Sequence, residues 1–252
     1  MKKVALVTGA ATGIGSEVAR QLSEDWNLAL HTRKNEQSLS KTAELCQTFG
    51  ADTLLTYRDF SQLDQVDESC KKLIDEVVLK FDRIDALVIN AGYAKIFDIN
   101  SFCTQDLLTA YSTITGQFLA LIKHAMPYLK KSRDARIIFV SSFTTKKANN
   151  QCGNFTLTAA AKSAAQSLIS SLALEHIKNN ITINAVLPGF IQKDEAAKSA
   201  MTHEQWAEII EEIPAKRLGL PLDVARVVKF LIDEKSSYIT GQLISVDGGI
   251  SL

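Results

Sequence analysis

The 252 residues predict an α/β fold, a doubly wound parallel sheet of about seven strands with helices on both faces. Three observations lead there. Short, almost continuous apolar runs recur along the chain, longer amphipathic stretches alternate with them, and a glycine-rich turn joins the first run to the first amphipathic stretch. A run that is apolar at every position must be buried on both faces, which is the situation of a strand inside a parallel sheet. Parallel neighbours need crossovers, and the intervening stretches are long enough to be the helices of right-handed βαβ units.

Val4-Ala5-Leu6-Val7 is the first strand; it follows Lys2-Lys3 and stops at Thr8-Gly9, too soon for the apolar segment of a signal peptide. A helix over 14–24 and a strand at 28–30 come next. The second helix, 38–49, has Gly50 as its stop and leads to a strand at 54–55. A third helix over 62–80, with Ser61 and Asp64 at capping-box spacing, precedes the strand at 86–89. The two longest helical stretches, 104–130 and 156–179, flank the strand at 137–140, and 181–187 is the sixth strand. Helices over 203–212, opened by Thr202 with Gln205 at the same spacing, and 222–234 lead to the last strand at 243–246. The stretch 192–220 is polar and helical between two regular units, and is expected to form a substrate flap. No repeat, low-complexity tract or Pro/Gly-rich linker divides the chain, so 1–252 reads as one domain.

Lysine plus arginine number 28, as do aspartate plus glutamate, so no net field draws the chain to nucleic acid or to an anionic membrane. A small-molecule partner is the expectation. No segment approaches the roughly 20 apolar residues that span a bilayer. Cys46, Cys70, Cys103 and Cys152 lie far apart with no CxxC pair, which argues against a metal site or a disulfide framework and for reduced thiols in the cytoplasm.

Thr8-Gly9-Ala10-Ala11-Thr12-Gly13-Ile14-Gly15 stands where a dinucleotide's pyrophosphate would meet unpaired NH groups at a helix start, as in a Rossmann-type fold. Gly9 suits the tight turn, Gly13 lets the backbone approach phosphate, and Gly15 allows close helix–sheet packing. Further signatures follow in order: Asp59-Phe60 after the third strand, Asn90-Ala91-Gly92 after the fourth, Ser141-Ser142 after the fifth, Lys162 in the next helix, Pro188-Gly189 after the sixth and Asp247-Gly248-Gly249 after the last. Together they resemble the short-chain dehydrogenase/reductase family over residues 3 to 249. The C-terminal third, with Ala185 to Ile191 and Tyr238 to Gln242, looks most like bacterial β-ketoacyl-acyl-carrier-protein reductases. The resemblance implies that Gly9, Thr12, Gly13, Ile14 and Gly15 hold the pyrophosphate and that Asp59 and Phe60 lie at the adenine. It also implies that Asn90, Ala91 and Gly92 line the ribose region, Lys162 holds the nicotinamide ribose, and Pro188, Gly189 and Ile191 border the nicotinamide ring.

An acidic residue at the end of the second strand would select NAD through the ribose hydroxyls. Thr32 stands there instead, followed by Arg33 and Lys34, whose charges suit the 2'-phosphate of NADP. NADPH is therefore expected to bind better than NADH. Thr12 works against this, because many NADP-dependent relatives place a second basic residue at that position.

Carbonyl reduction needs a group that polarises the carbonyl and one that delivers a proton. The family implies serine and tyrosine, with a lysine four residues after the tyrosine to lower its pKa and an asparagine on the preceding helix. Ser142 and Lys162 occupy their places, but Thr158 replaces the tyrosine and Thr113 the asparagine. A threonine hydroxyl is too weak an acid to serve as a general acid near neutral pH, though it can donate a hydrogen bond. Tyr93 and the four histidines read as packing, surface or satisfied groups.

Two readings stay open. One is an NADP-dependent reductase of weakened activity acting on a small or acyl-carrier-linked carbonyl compound. The other is a non-catalytic NADP(H)-binding homologue, a sensor or assembly partner. By resemblance a homotetramer is expected, with the small residues Ala159 to Ala161, Ala164 and Ala165 available for subunit packing.

Overall fold

The computed structural model describes residues 2–148, 155–192 and 202–252, with backbone alone at 203–205. Seven strands, β1 (Lys3–Thr8), β2 (Trp26–Thr32), β3 (Thr53–Tyr57), β4 (Ala86–Ile89), β5 (Ala135–Val140), β6 (Ile181–Pro188) and β7 (Leu243–Val246), form one sheet in the order β3-β2-β1-β4-β5-β6-β7. All six pairings are parallel. The chain winds outward one way through β2 and β3, then returns past β1 to β4. That reversal opens a crevice beyond the C-terminal ends of β1 and β4, where ligands bind in folds of this kind.

Alternation along the strands divides the core into two layers. Leu6, Leu87, Ile89, Ile137 and Phe139 face one side with α3 (Val66–Phe81), α5 (Gln117–Leu129) and α6 (Thr156–His176). Ala5, Val7, Val88 and Ile138 face the other, with α1 (Gly13–Leu22), α2 (Glu36–Thr48) and α8 (Pro221–Ile232). Each such fully buried leucine, isoleucine or phenylalanine contributes about 1.5–3 kcal/mol relative to exposure. These layers hold the strand ends, and so the crevice, in place.

Helix ends agree with the sequence at one predicted stop and differ at one predicted start. Gly50, at φ +85°, closes α2: its NH reaches Gln47 O at 2.9 Å and Ala51 NH reaches Cys46 O at 3.3 Å, the paired bonds of a Schellman motif. The Ser61–Asp64 capping box does not form. Asp59 Oδ1 accepts the Ser61 NH at 2.8 Å, which ties that stretch to the end of β3, and α3 begins only at Val66. The predicted helix 104–130 is α4 (Thr104–Tyr111) and α5 joined by a π turn at Ser112–Gly116. α7 (His203–Glu212) starts directly after Thr202, whose carbonyl accepts the Trp206 NH at 3.1 Å.

The predicted flap falls partly outside the described residues, at 193–201. Within the rest, Ile209 of α7 and Ile213 just after it are buried against Phe143 and Ile250, with Phe190 and Trp206 beside them. Phe143 follows β5 and Phe190 follows β6, so this small apolar cluster anchors α7 beyond the ends of those strands. Two of the alanines expected at a subunit surface, Ala161 and Ala165, are instead fully buried under α6 against the sheet. No helix among the described residues is long and apolar enough to cross a membrane.

Candidate active site

The crevice beside β1 and β4 is a cleft of about 690 Å³. Gly9, Thr12, Ile14, Thr32, Arg33, Asp59, Phe60, Asn90, Ala91, Gly92 and Thr113 line it, so sequence-distant candidates converge on one surface. Side chains and backbone lock its rim. Thr8 Oγ1 accepts the NH groups of Asn90 and Ala91, both at 3.0 Å, while Asn90 Nδ2 donates to Thr8 O at 3.0 Å and Gly9 O at 3.1 Å. Ala10 NH donates to His31 O at 2.9 Å, which fastens the turn to β2.

Glycine is required at Gly15, because a Cβ there would lie 2.1 Å from Gly9 O and 2.6 Å from Asn90 Nδ2. At Gly13, φ is +57° and nothing stands within 4 Å of the Cβ position, so the backbone itself faces open space at the start of α1. That surface suits a pyrophosphate held by helix-end NH groups. His31 Nδ1, Arg58 Nε and Thr113 Oγ1 are buried without a hydrogen bond in the described structure, and all three residues line the cleft. The site therefore fits a polar, phosphate-bearing dinucleotide.

At its outer end the cleft is basic. Arg33 is exposed at the tip of β2, and Thr32 beside it offers no carboxylate. Partial burial works against the charge of Asp59, but hydrogen bonds from Ser61 and the nearby Arg33 and Lys34 outweigh it and hold the carboxyl below its ordinary range. His31 was expected to be exposed or satisfied; it is buried, stacked on Phe60 with centroids 4.6 Å apart, and only Nε2 has a partner, Arg58 O at 3.0 Å. Burial pushes its pKa down to about 4, so the ring is neutral at pH 7.

The π turn and the first residue of α5 tie α6 to the loops after β3 and β4. Ser112 Oγ donates to Phe60 O at 2.8 Å, Thr115 Oγ1 to Ala161 O at 2.7 Å, and Gln117 Nε2 to Ala91 O at 2.5 Å and also to Thr113 O. Such turns are frequent at functional sites because they redirect side chains that a regular α-helix would hold elsewhere. Here the turn carries Thr113 to the cleft wall.

Beyond it, Ser142 Oγ accepts from Thr144 NH at 3.2 Å and Thr144 Oγ1 at 2.9 Å, which leaves its own proton available to a carbonyl oxygen. Lys162 Nζ donates to Ser141 O at 2.7 Å, and burial lowers its pKa to about 8, so it is largely charged at pH 7. Thr158 is buried and its hydroxyl donates to Phe155 O at 3.1 Å, back along its own helix. It lines a recess of about 40 Å³ with Tyr93, Leu157 and Phe102. Position 158 itself carries no phenol and its hydroxyl proton goes to Phe155 O; the phenol that lines this recess is that of Tyr93.

Pro188 ends β6, and Gly189 follows it where a Cβ would meet Asp247 Cα at 2.7 Å. Ile191 faces a second cavity of about 590 Å³, shared with Phe190, Arg217 and Asp247, rather than the cleft. The sequence reading overlooked His31, Arg58, Thr144, Thr145, Gln117 and Gln166 as parts of the site. Gln166 alone carried a local signal, standing one helical turn after Lys162.

Comparison with known proteins agrees with this geometry. A family model described as enoyl-(acyl carrier protein) reductase matches residues 9–251. The chain is 33% identical to the 3-oxoacyl-[acyl-carrier-protein] reductase FabG of Staphylococcus aureus, covering 99% of this chain and 98% of that one. To the FabG of Escherichia coli K12 it is 30% identical, covering 98% and 97%. Among solved structures, a 7α-hydroxysteroid dehydrogenase complexed with NADH and 7-oxo glycochenodeoxycholic acid superposes with TM-score 0.89 at 27% identity, covering 98% of this chain and 93% of that one. An acetoin dehydrogenase from Enterobacter cloacae does so with TM-score 0.87 at 27% identity, covering 99% and 96%. With nearly its whole length matched and the cleft where the fold requires it, the chain belongs to the short-chain dehydrogenase/reductase family and is an oxidoreductase similar to FabG.

Proposed function

We propose that the chain binds NADP(H) in preference to NAD(H) and reduces the carbonyl of a small or acyl-carrier-linked substrate, at a rate weakened by Thr158 and Thr113. When bound, the dinucleotide supplies the hydride. The glycine turn and α1 start would hold its pyrophosphate, Arg33 the 2'-phosphate, Asn90 to Gly92 would border the ribose, and Lys162, oriented by Ser141 O, would hold the nicotinamide ribose. Ser142 polarises the substrate carbonyl. The observation that carries the weakened rate is the Thr158 hydroxyl donating to Phe155 O, since the group at 158 is then both a weak acid and not aimed at a forming alkoxide.

That same hydrogen bond supports the second reading, a non-catalytic binder of NADP(H) serving as sensor or assembly partner. Cytoplasmic location and a homotetramer belong to the proposal. The reductase reading is tested by mixing the protein with NADPH and short β-ketoacyl esters: turnover above that of Lys162→Ala supports it, and equal turnover leaves the binding reading.

A further inference from the structure

α6 carries two adjacent stripes. Ala161, Ala165, Ile169 and Ala173 are buried against the sheet, whereas Thr158, Lys162 and Gln166, four residues apart, run along a polar line. Gln166 is an unusual tenant of that line. Its Nε2 donates to Ser141 Oγ at 2.5 Å and to Thr145 Oγ1 at 3.0 Å, and Thr145 Oγ1 passes its own proton to Ser142 O at 2.7 Å. On the other side of the same residue, Lys162 Nζ holds Ser141 O at 2.7 Å. The Ser141–Ser142 turn is thus gripped at its hydroxyl and its carbonyl from two successive turns of one helix. An aliphatic residue at 166 would pack against the strand end without desolvating an amide or freezing a flexible side chain, so helix packing alone does not call for glutamine.

We propose that Gln166 is a positioning residue of the reaction centre: by clamping Ser141 to Thr145 it fixes the carbonyl that orients Lys162 and the turn that presents Ser142. The proposal rests on the reading of Lys162 as a group that holds the nicotinamide ribose. Its effect on cofactor binding passes through Lys162, which separates it from a purely structural role.

A double-mutant cycle on the full chain tests this, with NADPH affinity read by titration calorimetry. Gln166→Leu weakens NADPH about fivefold when Lys162 is present, the size expected of one lost hydrogen bond, and adds nothing in a Lys162→Ala background. Gln166→Glu, which sets a carboxylate beside Lys162, moves the alkaline loss of NADPH binding to higher pH than in the wild type; this arm decides the matter even if the leucine variant is too unstable to assay. Equal losses with and without Lys162, or an unmoved pH profile in the glutamate variant, overturn the positioning role. If Lys162→Ala binds NADPH as tightly as the wild type, the reading of Lys162 has failed and the clamp falls with it. If Lys162→Ala weakens binding but Gln166→Leu does not, the clamp alone is refuted.

Discussion

The cleft at β1 and β4 and the proposed reaction centre at β5 and α6 are neighbours built on different terms. The cleft is made largely by backbone: the turn from Gly9 to Gly15, the helix start behind it, and the Thr8–Asn90 bonds that lock both. The reaction centre is made by side chains placed singly, Ser142, Lys162 and the residue at 158. Backbone geometry is enforced by packing over many residues, so it survives replacement of any one hydroxyl. A proton path has no such redundancy. Here the cleft has that backbone support, whereas Thr158 and Thr113 stand at two positions of the proposed proton path.

Three experiments break or sharpen this contrast, beginning with the largest effect. His31 belongs to the cleft half and has a pKa near 4 in place of the ordinary 6.5, so below pH 6.5 the unfolded chain takes up a proton that the folded chain refuses until about pH 4. Stability is therefore lost as pH falls through that window, by about 3 kcal/mol in total, and is level with respect to this group outside it. In His31→Phe, which keeps the stack on Phe60, urea midpoints between pH 6.5 and 4 should fall less steeply than in the wild type. Parallel slopes would mean that the ring is reached by water or is charged in the fold.

The second experiment addresses the reaction half. Thr158→Tyr should raise NADPH-dependent reduction of a short β-ketoacyl ester about tenfold, the low end of what a general acid supplies. Adding Thr113→Asn should gain more than the separate effects combined, since members of one catalytic unit are not additive. A wild type that already turns over briskly, together with an unchanged rate in Thr158→Ala, would place the proton donor elsewhere.

The third returns to the cleft and its outer, basic end. Arg33→Ala should weaken NADPH about tenfold and leave NADH unaltered, because a charge-assisted hydrogen bond to phosphate contributes about 1.5–3 kcal/mol. Equal affinities of the wild type for the two dinucleotides would remove Arg33 from that role.

Much of the fold was legible in the chain. All seven strands lie where apolar runs placed them; the five inner ones are buried on both faces, which leaves an almost unbroken local signature. Gly50 was legible for a related reason: a left-handed residue after a helix favours glycine whatever surrounds it. Ser61 misled because capping spacing says nothing of competitors, and the carboxylate of Asp59 takes its NH. Ala161 and Ala165 misled because their size is compatible equally with a subunit surface and with the close approach of a helix to its own sheet.

What the sequence by itself determined is the order of elements, the glycine turn and the absence of tyrosine at 158, all of which are properties of residue type and spacing. The tertiary structure alone decided that a π turn carries Thr113 to the cleft, that His31 is buried with one nitrogen unpaired, that Ile191 faces a second cavity, and that Gln166 closes on Ser141 and Thr145. Each depends on the direction of a side chain relative to partners far away in sequence, and periodicity records which face a residue occupies but not what waits there.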